Sequence, residues 1–145
     1  RFAEDIEFSI RMKQMQLKVG LIPDAYVYHK RRTDFAQFFR QVSNFGKGRA
    51  VVGTIYPSEV RLTHWFPTAF TASLVFVVLS ALFNKDIFFA GSLLFALYFL
   101  TLFIDSLITN RSLRVAILSI PSAVIQLTGY GTGFFKERLK TYLSK

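Results

Sequence analysis

Residues 65–83 read WFPTAFTASLVFVVLSALF, and after Asn84, Lys85 and Asp86 the chain resumes with IFFAGSLLFALYFLTLFI over 87–104. Neither run contains a charged residue. Each meets the length of about 18 residues that a bilayer-spanning helix needs. Pro67 stands near the start of the first run, where a helix tolerates it. With three polar residues between them, the two runs are expected to form a tight transmembrane hairpin. A third uncharged run covers 115–135, interrupted by Pro121, Gln126, Gly129, Gly131 and Gly133. If residues 1–64 face the cytosol, three crossings would export the basic tail that carries Lys136, Arg138, Lys140 and Lys145. That runs against the positive-inside tendency. Two crossings, with 115–135 re-entrant or interfacial, keep the tail inside and are slightly favoured.

The rest of the chain has a different character. Of the 18 Lys and Arg residues, 11 fall in residues 1–64, as do 6 of the 9 Asp and Glu residues. A module of this size is near the lower limit for an independent core. It is expected to be the end of a larger domain, and the chain, which opens on Arg1, a piece of a longer protein. The net charge of +9 points to anionic lipid or phosphorylated substrates. No zinc-finger spacing or RNA-recognition signature supports a nucleic-acid polymer as partner. With no cysteine, disulfides and thiolate metal sites are excluded.

Residues 4–19 have helical periodicity, with Phe8, Met12, Met15 and Val19 on one face and Gly20 as a stop. Residues 21–29 read as extended chain, with Tyr26, Val27 and Tyr28 suited to a strand that ends at His29. Lys30, Arg31 and Arg32 make a basic loop. Asp34, with Gln37 three residues on, opens a second helix to about residue 50. Its stripe of Phe35, Phe38, Phe39, Val42 and Phe45 suits a membrane surface or a core, and Gly46 and Gly48 are expected to loosen its end.

Several polar residues carry two readings each. Glu4 and Asp5 either serve the helix dipole or supply a general base for a substrate hydroxyl. His29 is either structural or a ligand for a cation that neutralises a leaving diphosphate. Arg11 stands four residues after Glu7, the spacing of a helical ion pair. Gln41, Lys47 and Arg49 sit beside two glycines and form either a phosphate-binding group or a lipid-facing basic patch.

In their order and spacing these residues resemble the end of a membrane-attached family 2 glycosyltransferase. The matching string runs from Glu4-Asp5-Ile6-Glu7-Phe8-Ser9-Ile10-Arg11 through Gly20 and Ala25-Tyr26-Val27-Tyr28-His29 to Arg40-Gln41 and Phe45-Gly46-Lys47-Gly48-Arg49. Gly129-Tyr130-Gly131-Thr132-Gly133-Phe134 is similar to the membrane tails of bacterial members. The resemblance implies an α/β fold, the C-terminal part of a Rossmann-like GT-A domain over residues 1–64, followed by a helical membrane region over 65–145. It implies inverting transfer of a sugar from a nucleotide-diphosphate donor to a lipid-linked, glycan or other hydroxyl acceptor. Asp5 matches the catalytic base and Glu4 its partner. His29 matches a histidine that helps hold a divalent cation, Mg or Mn, whose other ligands would lie outside this chain. Arg11, Arg32, Gln41, Lys47 and Arg49 become candidates for binding the diphosphate or substrate. Asn44 and Phe45 stand where the Gln-x-x-Arg-Trp motif of processive members has Arg and Trp, so processive synthesis is not implied. The implied location is a bacterial-type inner membrane with the catalytic part cytosolic. The nucleotide-binding half is expected before Arg1, and without it this piece would be inactive. The competing reading is a non-catalytic membrane anchor with a basic, lipid-binding cytosolic face.

Overall fold

The computed structural model describes residues 3–29 and 34–144. Their regular structure is entirely helical: α1 (Glu4–Gln14), α2 (Phe35–Ile55), α3 (Phe66–Ser80), α4 (Lys85–Asn110) and α5 (Leu113–Leu143), with two short 3-10 turns between α2 and α3. No strand occurs among the described residues, so the expected α/β, Rossmann-like fold is overturned in favour of an all-α one. The reason lies in residues 21–29. A strand is stable only when its backbone pairs with another, and none is offered. Tyr26, Val27 and Tyr28 are left without regular structure and at least 72% exposed.

The helix ends are set by local chemistry. Asp34 accepts a hydrogen bond from the Gln37 N–H at 2.7 Å, as its spacing predicts. Asn84 caps α4 in the same way through the Ile87 N–H at 3.0 Å. Helix α1 ends at Gln14, well before Gly20. Gln16 turns left-handed, with φ 56°, and the Leu17 N–H reaches back to the Met12 carbonyl at 3.0 Å. This is a Schellman-type stop built without glycine. The expected apolar face of α1 is also corrected. Phe8, Met15 and Val19 are exposed, and Ile10 is the residue that is buried.

Three helical stretches are long and apolar enough to cross a membrane: Leu62–Ser80, Lys85–Asn110 and Leu113–Leu143. Their outward faces suit hydrocarbon, with Val78 61% and Leu94 69% exposed. The hydroxyls of Ser73, Thr101 and Ser122 donate to carbonyls three or four residues back, which satisfies them without water. The third stretch does not double back as a re-entrant segment would. It runs as one helix of 31 residues, with Pro121 carried inside it.

Helix α5 is the hub, packed against α2, α3 and α4. Its contact with α2 is set by missing side chains. A Cβ on Gly46 would fall 2.8 Å from the Phe134 N and closer still to the Tyr130 carbonyl oxygen. On the facing helix, a Cβ on Gly133 would strike the backbone of Ser43, and one on Gly129 would sit 3.2 Å from the Phe39 carbonyl oxygen. The paired positions advance together, so the two helices run in the same direction. Gly46 and Gly48 are therefore buried inside α2 and do not loosen it. Gly131 faces the other way and seats the first turns of α3, where a Cβ would lie 2.8 Å from Thr71 Oγ1. Val42, Ala50, Val52 and Phe134 close the core, with Trp65 edge-on to Phe134 at 5.0 Å.

Candidate functional site

Helix α1 is docked near the C-terminal end of α2 through Glu7. Tyr56, which follows α2, donates its hydroxyl to Glu7 Oε1 at 3.1 Å, and Arg11 Nε lies 2.9 Å from the same oxygen. Burial and then the hydrogen bond to Glu7 push the Tyr56 phenol above the usual tyrosine range, with the Arg11 charge opposing. Arg11 is therefore engaged as the helical ion-pair partner of Glu7. Its side chain is 58% exposed, so the pair adds little stability.

Successive residues on a helix diverge by about 100°, and this separates Glu4 from Asp5. Glu4 lines a cleft of about 850 Å³ with Glu7, Phe8, Arg11, Val51 and Ile55. Asp5 lines a different cleft, of about 310 Å³, with Ile6, Asn44, Phe45, Arg49 and Tyr130. The two carboxylates do not form a dyad. Asp5 instead shares its cleft with Arg49, and three helices build it: α1 brings Asp5, α2 brings Arg49, and α5 brings Tyr130.

Arg49 is the centre of this cleft. Its guanidinium is in hydrogen-bonding reach of the Tyr130 hydroxyl and in electrostatic reach of His64. His64 accepts the Arg61 N–H on Nδ1 at 2.9 Å. Gln41 lies on the same side of α2, in a depression of about 390 Å³ that shares Asn44 and Phe45 with the Asp5 cleft. At 1.5 Å per residue, Gln41 and Arg49 are about 12 Å apart along the helix. Phe45 sits between them and is 57% exposed. Lys47 is on α2 but lines neither hollow.

The remaining candidates are not brought to this cleft. His29 is exposed on the irregular segment between α1 and α2 and lines none of these hollows. Among the described residues no three His, Cys, Asp or Glu side chains are grouped to hold a metal ion. Arg32 lies outside the described residues. Tyr56, His64 and Tyr130 are site residues that the sequence reading missed. Tyr56 is 49 positions from Glu7, and no local pattern links them. Tyr130 stands between Gly129 and Gly131 in the membrane tail, and those glycines are the one signal that a close neighbour was required.

No protein-family model, curated protein or solved structure matches this chain.

Proposed function

We propose that this chain is the acceptor-side, membrane-attached part of an inverting glycosyltransferase, with Asp5 as general base. The observation that carries the reading is the shared cleft of Asp5 and Arg49, flanked by Phe45 and Tyr130 and seated on a helix long and apolar enough to cross a membrane.

The chemistry follows from those groups. The Asp5 carboxylate accepts the proton of the acceptor hydroxyl as that oxygen attacks the sugar's anomeric carbon. The bond from that carbon to the nucleotide diphosphate breaks on the opposite face, which inverts the centre. The charge that builds on the leaving diphosphate needs fixed positive charge, and the Arg49 fork supplies part of it. Gln41 and Phe45 extend the surface along α2 for the acceptor. The resemblance also implies a divalent cation, but among the described residues no three His, Cys, Asp or Glu side chains, His29 included, are grouped to hold one. The acceptor is a membrane-associated or exported hydroxyl compound, and the donor a nucleotide-diphosphate sugar.

The test is transfer from a panel of radiolabelled nucleotide sugars by the protein in its native membranes, comparing wild type with Asp5→Asn at matched expression. Transfer should vanish in Asp5→Asn, because an amide cannot take the proton, and should persist in Glu4→Gln, which alters the other cleft. Equal transfer by wild type and Asp5→Asn would remove Asp5 from the mechanism. Absence of transfer from every donor would favour the membrane-anchor reading.

A further inference from the structure

A further cleft of about 520 Å³ lies where the C-terminal ends of α2 and α5 meet the turn before α3. Gly53, Thr54, Trp65, Phe135, Arg138 and Tyr142 are among its walls. Arg138 has no ion pair among the described residues, and its Nη1 lies 3.6 Å from where a Gly53 Cβ would be. The guanidinium thus lies against α2 at Gly53, at ordinary contact distance from that position.

Phe135 is also a wall of a groove of about 410 Å³ between α3 and α5, with Ala72, Val75, Phe76 and Leu79 along it. The groove contains three threonines, yet it offers no spare hydroxyl proton. Thr68 donates to the Gly131 carbonyl at 3.2 Å, Thr71 to the Pro67 carbonyl at 2.8 Å and Thr132 to the Thr128 carbonyl at 2.7 Å. Its surface is therefore apolar in effect. Val75, Phe76, Leu79 and Phe135 are all about half exposed, so the groove is open along its length.

We propose that cleft and groove together hold one anionic phospholipid, its phosphate on Arg138 and one acyl chain in the groove. Three features select this occupant. The groove runs from Thr68 to Leu79, about 16 Å at 1.5 Å per residue. That matches one leaflet, half of a hydrocarbon core about 30 Å thick. The cation stands at the end where α3 begins, beside Trp65 and Tyr142, the residue types that mark a membrane–water boundary. A guanidinium without an ion pair beside an apolar trough complements an amphiphile with a phosphate head. This site is separate from the Asp5 cleft and does not rest on the glycosyltransferase reading.

Trp65 is the only tryptophan in the chain and it lines the cleft, so it reports directly on the occupant. The full chain is reconstituted in phosphatidylcholine vesicles, and its fluorescence is titrated with chain-brominated phosphatidylglycerol or chain-brominated phosphatidylcholine. A basic side chain at a membrane surface favours an anionic lipid about five-fold, and that preference is expected for the wild type. Arg138→Gln should bring the ratio close to one. Lys140→Gln, which alters a tail cation outside the cleft, should leave it in place. Ala72→Phe fills the groove with Arg138 intact and should also reduce the preference, so the result does not hang on one variant folding. A ratio of one in the wild type overturns the site. An equal loss in Lys140→Gln and Arg138→Gln also overturns it, because the attraction would then be diffuse. Weak quenching by both lipids would show the groove covered by protein, such as a second copy, and overturns it as well.

Discussion

Gly46→Ala is the sharpest test of the packing. In isolation the change helps, because alanine is a better helix former than glycine by about 1 kcal/mol. The structure reverses the sign. The new methyl would meet the Phe134 N at 2.8 Å and the Tyr130 carbonyl oxygen at closer range. Both are backbone atoms of α5, so no side chain can rotate out of the way, and α2 and α5 must separate. Overpacking of this kind costs about 1–3 kcal/mol, and separation also loosens Val42 and Phe134. The net expectation is destabilisation of about 1–2 kcal/mol, or a fall in melting temperature on the order of 5 °C. The assay is thermal loss of far-UV circular dichroism in detergent micelles. Gly20→Ala is the internal control, since nothing lies within 4 Å of its Cβ position. It should be neutral or slightly stabilising. Gly133→Ala should resemble Gly46→Ala, and the double variant should lose less than the sum, because the first separation relieves the second clash. Gly46→Ala melting at or above the wild-type temperature would refute this account of the interface.

Asp34→Ala removes the cap of α2 and should cost about 1 kcal/mol, while Asp34→Asn costs little; thermal unfolding of both variants checks it. The Tyr56 phenol is neutral when it donates to Glu7, and its folded value lies above the usual tyrosine value of about 10. Docking of α1 through this bond should therefore persist below pH 10 and be lost as pH rises through the folded value. Hydrogen exchange of residues 4–14 against pH, with Tyr56→Phe lacking the dependence, measures it.

The sequence yields the elements whose causes are local. Asp34 and Gln37 are three residues apart, Glu7 and Arg11 four, and the apolar runs are contiguous, so each can be read without knowing the rest of the molecule. What fails depends on a distant partner. The Tyr26–Val27–Tyr28 segment has strand propensity, but propensity without a second strand leaves it irregular and solvated. Gly46 weakens a helix judged alone, yet it is required by Tyr130 and Phe134, more than eighty residues away. The same distance hides the Asp5 cleft. Arg49 is legible as a cation beside glycines, but its junction with Asp5 on α1 and Tyr130 on α5 exists only after α2 and α5 have closed on their glycines.

That dependence bears on what Arg49 does. Arg49 lines one cleft with Tyr130 and Asp5, so it is either a strut between helices or a group that meets the substrate. Arg49→Lys separates the two roles, because an ammonium keeps the charge but lacks the planar fork that can hold Tyr130 and an anion together. Tyr130→Phe removes only the partner on α5. If Arg49 is a strut, both variants lower thermal stability alike and leave the transfer rate per folded molecule unchanged. If it meets the leaving diphosphate, Arg49→Lys lowers kcat by about 100-fold, the scale of one lost transition-state donor, while Tyr130→Phe retains most of it. Under the proposed chemistry the second outcome is expected. Equal kcat values for wild type and Arg49→Lys would reduce the cleft to a packing feature and remove the only fixed charge that the described residues offer beside Asp5.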